Sequence, residues 1–313
     1  MRAVYILAGR CDNPRAMRTP TFALTAMAVA TAAAVTVTAE RRDEGAALLN
    51  VLEAVGERVL RYVARAQHLV CTEVVRLQPL TASWSMDGFG RTVESELHLS
   101  WTPPDDGSVT TEAQALRQVL RVNGHQPRVD DHNNCTTPEQ ETQEPQPLAM
   151  LLPSERDGYA FKMAGLTRLD RRAAILIDYR LLKEVAVESH MIEGRDDCVS
   201  YNVDGGVQGR IWIDAETFEV LRVDQRLTGM VEIPLPKAIM KLPNSPRSWT
   251  LERMDTSIKF KTVTFTNPDE TLMLPASISS LHITRGSGTP RLRTTTEFVN
   301  YQRFLTGGRI VGQ

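Results

Sequence analysis

The chain has 313 residues, of which 42% are hydrophobic and 24% charged, and its formal net charge is −2. The length suits one large domain or two small ones, and the composition is that of a water-soluble globular protein. Because no run of lysine and arginine is present to follow a phosphate backbone, the sequence argues against a nucleic-acid partner.

The N-terminal 39 residues have the pattern of a secretory signal peptide. Four arginines precede an uncharged run from Thr19 to Ala39, which ends in the small-residue cleavage pattern Val37-Thr38-Ala39. Translation starting at Met17 would give a more compact leader. An uncleaved membrane anchor is the alternative, since the run is close to the roughly 20 residues that span a bilayer. We therefore predict a periplasmic or secreted protein with one β-rich domain over residues 40–313.

One amphipathic helix is predicted over Glu44–Gln67. Apolar side chains recur there at helical spacing, at Leu48, Leu52, Val55, Val59 and Tyr62/Val63. Such a helix must lay its apolar stripe against another apolar surface.

The rest of the chain is predicted to be mostly β-strand. In the segment RTVESELHLSW, Val93, Leu97, Leu99 and Trp101 alternate with polar residues, as expected for a strand with one wet face. Ten further segments of similar length follow or precede it, without long helices between them. A mainly β fold with a large antiparallel sheet is therefore expected, and a doubly wound parallel fold is not.

Two segments interrupt the strand pattern. Residues 124–147 are polar and contain proline, which predicts a long surface loop. Residues 229–248 carry four prolines yet are apolar, which argues against a central strand and suggests a cover over something apolar.

The hairpin GRIWIDAETFEVLRV, which begins at Gly209, places Asp214 and Glu216 two residues apart. A catalytic carboxylate pair needs unlike surroundings that separate the two pKa values, whereas a turn tip exposes both groups to water. An aspartate at the first turn position accepts hydrogen bonds from backbone N–H groups two or three residues ahead. We therefore interpret the pair as a turn.

The flanking strands suggest a cavity. Ile211, Trp212 and Ile213 are apolar on both faces of their strand, which is unusual in an antiparallel sheet. One face can be covered by the helix, and the other by a second layer or by a sheet that curls around an apolar cavity.

The cysteines favour one disulfide. Cys135 and Cys198 lie in polar, loop-like surroundings, and an oxidising compartment would allow them to pair, leaving Cys71. Three unpaired thiols are the alternative.

The same hairpin resembles the G-x-I/L-W-I/V-D-x-x-T-x-x-x-L-R hairpin of bacterial envelope proteins of the LolA-like outer-membrane lipoprotein carrier and sorting superfamily. LVCTEVV, VLRVNG and LMLPASISSLHITRGSGTPRLRTTTEFVNYQRF also resemble landmarks of a group of uncharacterised secreted bacterial proteins. The resemblance implies a curved antiparallel half-barrel with the N-terminal helix packed on it, and binding of acyl chains or lipidated partners. Phe218 stands where such relatives often have glycine, and this puts the turn type in question.

No catalytic signature is found: GxSxG, the P-loop and HExxH are absent from the sequence. The cluster DDHNNC is one weak half of a metal site, and we expect no metal and no cofactor. The sequence thus predicts a non-catalytic carrier for an acyl chain, lipid or lipidated protein, with transient contact to a membrane surface. The alternative is a ligand-free structural or protein-interaction module of the envelope. Seven residues are predicted to line the cavity or its lid: Trp101, Trp212, Met230, Ile233, Leu235, Ile239 and Met240.

Overall fold

The computed structural model describes residues 2–5, 34–66, 68–101, 112–132, 135, 141–145, 147–195, 198–240, 246–266 and 269–303. The predicted fold class is confirmed, since the chain is mainly β with one large open antiparallel sheet and an N-terminal helix. The helices are α1 (Ala34–Arg65), α2 (Val129–His132) and α3 (Lys237–Met240), with 3₁₀ turns at Ala149–Leu151 and Arg156–Gly158. The first strands are β1 (Arg2–Tyr5), β2 (His68–Pro79), β3 (Arg91–Ser100), β4 (Glu112–Val122), β5 (Glu141–Pro145), β6 (Tyr159–Leu169), β7 (Arg172–Leu181) and β8 (Ala186–Met191). The remaining strands are β9 (Val199–Asp204), β10 (Val207–Asp214), β11 (Val220–Leu227), β12 (Val231–Pro234), β13 (Ser248–Thr266), β14 (Asp269–Arg285) and β15 (Arg291–Arg303).

Twelve strands form the main sheet, in the order β5-β4-β3-β2-β15-β14-β13-β11-β10-β7-β6, and β12 adds to β13 outside this path. Strands β1, β9 and β8 form a second, three-stranded sheet. The first strand after α1, β2, therefore lies inside the main sheet, beside β15, the last strand that the structure describes.

The main sheet curves around α1. Tyr62 of α1 packs edge-on against Trp101, directly after β3, with ring centroids 6.4 Å apart. Residues 58–65 of the same helix also meet Val220 of β11 and Leu272 of β14. In a flat sheet β3 and β11 would lie roughly 24 Å apart, whereas eight helical residues rise only about 12 Å. Curvature is what brings both strands to the helix.

Alternate residues of each strand face inward. The larger core lies between α1 and the inner face, and it contains Leu52, Val55, Val59 and Val63 of the helix together with Ile177, Ile211 and Ile213 of the sheet. A second core lies farther along the same face, where β8, β9, β12 and α3 cover it; it contains Tyr201, Ile233, Ile239, Trp249 and Leu251. Because the two cores fill the inner face at both ends, the fold has two hydrophobic centres under one sheet.

Several segments differ from the sequence-based expectations. Helix α1 begins at Ala34, ten residues before the predicted start. The predicted surface loop 124–147 contains α2 and the edge strand β5, and the segment 229–248 contains β12, which pairs only with β13. This last pairing agrees with proline at the end of a short edge strand.

Most of the predicted signal peptide, residues 6–33, lies outside the described residues. Among the helices that the structure describes, none has a stretch long and apolar enough to cross a membrane.

Candidate functional site

The hairpin between β10 and β11 is built as a turn. Asp214 Oδ1 accepts hydrogen bonds from the backbone N–H groups of Glu216 and Thr217, both at 2.9 Å. Arg172 Nε lies 2.6 Å from the other carboxylate oxygen. Burial raises the pKa of Asp214, but these two hydrogen bonds and the charge of Arg172 outweigh it, so the pKa lies below its usual value. Glu216 is exposed at the tip, whereas Asp214 is only 4% exposed, so the expectation that both carboxylates face water is wrong for Asp214.

Phe218 adopts the left-handed backbone conformation, with φ of 56°, which is the region that favours glycine. Its ring packs against the larger core. The turn is therefore kept without glycine, because burial of the phenyl ring compensates for a backbone conformation that side chains disfavour.

The seven residues predicted to line a cavity lie in four different places. Trp101 is buried in the larger core. Ile233, Leu235 and Ile239 are buried in the second core. Trp212 faces the opposite side of the sheet, where the guanidinium carbon of Arg222 lies 4.8 Å from its ring centroid. Two methionines are exposed on the segment that carries β12 and α3, Met230 by 71% and Met240 by 38%.

A small pocket of about 80 Å³ opens at the seam between α1 and the sheet. We call it the seam pocket; its floor is apolar, and its rim on α1 is basic. The floor is formed by Val59, Leu148, Val220 and Leu272, and the rim by Arg58, Arg61 and Arg65. Arg65 Nε lies 3.3 Å from Glu270, whereas Arg58 is exposed. On the sheet side the rim carries Glu219, so the seam pocket joins an apolar floor to a rim with three arginines and one glutamate.

A buried ion pair lies on the inner face between the two cores. Arg117 Nε donates to Glu73 at 2.7 Å, and its Nη1 donates to Thr142 at 2.8 Å. The two charged side chains are only 10% and 5% exposed. This pair was not predicted from the sequence. The available signal was the alternation of β2, which places the charged side chain of Glu73 at an inward position.

Cys71, on the same strand, is a free buried thiol. Burial and then the neighbouring charge of Glu73 raise its pKa to about 12. The nucleophilic thiolate is thus strongly disfavoured, and the thiol is unsuited to catalysis at neutral pH.

The two cysteines favoured by the sequence form a disulfide. Cys135 and Cys198 have Cα atoms 5.3 Å apart, and with Ile192 they form a small buried cluster. The bond ties the connection between β4 and β5 to the hairpin between β8 and β9.

A larger groove of about 640 Å³ lies on the outer face of the sheet. Strands β7, β10, β11, β13, β14 and β15 line it, mainly with charged and hydroxyl side chains. Within the described part of the chain, no group of three or more histidine, cysteine, aspartate or glutamate side chains is placed to hold a metal ion.

No family model matches the chain, and no curated protein matches it. Solved structures similar to it include a putative outer membrane lipoprotein-sorting protein domain from Vibrio parahaemolyticus, with 11% identity, a TM-score of 0.34, and coverage of 82% of this chain and 94% of that one. A DUF1329 family protein from Desulfovibrio piger has 9% identity and a TM-score of 0.37, with coverage of 82% and 94%.

A LolA superfamily protein from Nitrosomonas europaea has 8% identity and a TM-score of 0.30, with coverage of 83% of this chain and 97% of that one. Proteins described as lipoprotein-sorting and LolA superfamily domains are therefore among the solved structures similar to this chain. Similarity at this level does not identify a ligand or partner for this chain.

Proposed function

We propose that this chain is a non-catalytic carrier or binding protein of the cell envelope, which takes up an acyl chain, a lipid or a lipidated protein between α1 and the inner face of the sheet. The observation that carries the proposal is the seam pocket. Its floor of Val59, Leu148, Val220 and Leu272 suits hydrocarbon, and its arginine rim suits an anionic head group.

The seam pocket is an entrance rather than a complete site. Its volume of about 80 Å³ holds only the end of a hydrocarbon chain, so a long chain requires α1 to move away from the sheet. Each buried CH₂ contributes about 0.8 kcal/mol, and these contacts replace those that Leu52, Val55 and Val59 make in the ligand-free protein.

The predicted lining residues have different parts in this proposal. Trp101 packs on Tyr62 of α1, and it would contact a chain that enters beneath the helix. Ile233, Leu235 and Ile239 would anchor the segment 231–242 in the second core. Met230 and Met240 would then offer an adaptable apolar surface to a membrane or a lipidated partner.

An envelope location is supported by the disulfide, because such bonds persist mainly in oxidising compartments. We retain the signal peptide over residues 1–39 as part of the proposal, and the mature protein would begin at Glu40. Cleavage there would remove β1 from the smaller sheet and the first six residues of α1.

A ligand-free interaction module of the envelope is the second candidate. The observation that favours it is the filled inner face, where side chains of the two cores occupy both ends. In that case partners would dock on edge strands such as β6.

The test is native mass spectrometry of residues 40–313 purified from a periplasm without detergent, followed by solvent extraction and titration with a fluorescent long-chain fatty acid. We expect a bound acyl compound, and about tenfold weaker fatty-acid binding in the Arg58→Gln/Arg61→Gln variant, since each exposed charge contact contributes up to about 1 kcal/mol.

The matched control is Arg121→Gln/Arg128→Gln, which removes two exposed arginines far along the chain from the seam pocket. An equal loss in the control would mean that the arginines act only through overall charge. A ligand-free mass together with no fatty-acid binding would reject the carrier and leave the interaction module.

A further inference from the structure

The outer groove lies on the face of the sheet opposite to both cores. In β10, Ile211 and Ile213 point into the larger core, whereas the alternate residues Arg210 and Trp212 line the groove. The same alternation places the charged residues of β11 on the groove side. A ligand in the groove would therefore be separated from the seam pocket by the full thickness of the sheet.

Each aspartate that lines the groove is already neutralised by an arginine. Arg210 Nε donates to Asp178 at 2.6 Å, and Arg222 Nε donates to Asp224 at 2.7 Å.

The third aspartate, Asp255, accepts a hydrogen bond of 2.6 Å from Arg253 Nε on its own strand. Asp255 is also the ladder partner of Arg226, but its ion pair is with Arg253. The groove therefore has no aspartate to spare for a further cation.

Two arginines remain in the groove without an ion pair among the described residues: Arg226 on β11 and Arg293 on β15. Both are exposed. They belong to one row across the ladder, in which Arg226 is opposite Asp255, Asp255 opposite Leu281, and Leu281 opposite Arg293. Three strand spacings put their Cα atoms roughly 14 Å apart.

The rest of the lining favours a polar, extended ligand. Gln208 and Ser279 offer hydrogen-bonding groups along the groove, while Trp212 and Leu281 are its main apolar contributions. The volume of about 640 Å³ lies within the usual range of ligand sites. An acyl chain would find too little apolar surface here.

We propose that this groove binds an extended acidic segment of a partner protein, with two of its carboxylates held by Arg226 and Arg293. An extended chain advances about 3.4 Å per residue, so carboxylates at positions i and i+4 are about 14 Å apart on the same side. That spacing matches the estimated separation of the Cα atoms of Arg226 and Arg293. Guanidinium groups bind carboxylates through paired hydrogen bonds, and the polar lining can hold the peptide backbone.

The test uses a nine-residue synthetic peptide with glutamate at alternate positions and its glutamine counterpart, titrated into residues 40–313 by calorimetry at low ionic strength. We expect the glutamate peptide alone to bind. The Arg226→Gln/Arg293→Gln variant should weaken binding about tenfold, because each lost contact contributes up to roughly 1 kcal/mol. Binding should also weaken in 0.5 M salt, about the level at which surface charge pairs are screened.

The control variant is Arg76→Gln, an arginine that is paired with Glu297 at 2.6 Å and does not line the groove. It should change the affinity less than about twofold. Thermal unfolding of both variants establishes that these exposed substitutions leave the fold intact.

Three results would overturn the proposal: no binding of the glutamate peptide, an equal loss in the Arg76→Gln control, or tighter binding of phosphatidylglycerol vesicles or an acidic polysaccharide than of the peptide. Because fatty-acid binding at the seam pocket does not involve Arg226 or Arg293, it should be unchanged in the double variant. Failure of this proposal is thus distinguishable from failure of the carrier function.

Discussion

At the scale of single residues, His282 gives the protein a pH-dependent stability. It lies on the inner face of β14, and burial lowers its pKa to about 4 even though the charge of Asp255 acts in the opposite direction. In the unfolded chain the pKa of histidine is about 6.5. Below that pH the unfolded state gains a proton that the folded state excludes, so the free energy of unfolding falls as the pH drops from about 6.5 to about 4.

We expect this group to cost about 2 kcal/mol of stability at pH 5 relative to pH 7. Urea unfolding of the parent protein and of His282→Leu at both pH values measures the effect. The variant should lose less stability between the two conditions than the parent does. Parallel losses would show that other groups cause the acid sensitivity.

Asp214 and Glu73 show when the hydrogen-bond partners of a side chain can be predicted from neighbouring residues and when they cannot. Asp214 accepts the two backbone hydrogen bonds that the turn interpretation predicted, because this geometry depends only on neighbouring residues. Glu73 accepts a hydrogen bond from Arg117, which lies two strands away in the sheet, and no residue adjacent to Glu73 in the sequence indicates that partner.

At the scale of elements, the disulfide holds the smaller sheet to the main one. Cys135 and Cys198 are 63 residues apart in sequence, and one of them directly precedes β9. A crosslink over a loop of this length restricts the unfolded chain, with a stabilisation of about 2–4 kcal/mol.

The Cys135→Ser/Cys198→Ser variant should therefore unfold with a free energy about 2–4 kcal/mol lower than the parent. Denaturant unfolding with and without dithiothreitol measures this. The reducing agent should destabilise the parent to the level of the variant and leave the variant unchanged. A parent protein that is indifferent to reduction would contradict the expected role of the bond.

Strands were predicted correctly where polar and apolar residues alternate regularly. They were missed where a segment becomes a strand only by pairing with a neighbouring strand. Strand β6 coincides with the segment YAFKMAGLTRL, and α1 buries Leu52, Val55 and Val59 as its periodicity requires. Strand β12 was not predicted, because the four prolines of segment 229–248 disfavour a strand; β12 forms by pairing with β13. Strand β5 forms from a polar segment for the same reason, by pairing with β4.

At the scale of the whole molecule, the sites depend on which face of the curved sheet each residue occupies. Trp212 was grouped with Trp101 because both are large and apolar. Side chains alternate along β10, however, so Trp212, which lies between two inward-facing isoleucines, is on the outer face. The row that joins Arg226 to Arg293 crosses four strands, and its register follows from tertiary pairing. The antiparallel sheet could therefore be predicted from the sequence, but the groove could not, because its lining depends on which strands pair.

The central position of β15 makes the C-terminal part of the chain essential to the fold. Its residues pair with β14 on one side and β2 on the other, so its loss divides the main sheet instead of trimming an edge. A chain of residues 40–285 should unfold without cooperativity, whereas a chain of residues 40–313 should unfold cooperatively. Near-UV circular dichroism during denaturation tests this, and cooperative unfolding of the shortened chain would contradict it.

The adjacency of β2 and β15 also governs the order of events during synthesis. β2 leaves the ribosome early, but the strand that completes its pairing, Leu292 opposite Pro79, is made near the end of the chain. At 5–20 residues per second the delay is on the order of 10–40 s. Throughout that time the apolar inner side of β2 is uncovered, and the backbone groups along one of its edges lack the hydrogen bonds to β15. The nascent chain is thus exposed to aggregation until its last strand arrives, and it should depend on a holding chaperone.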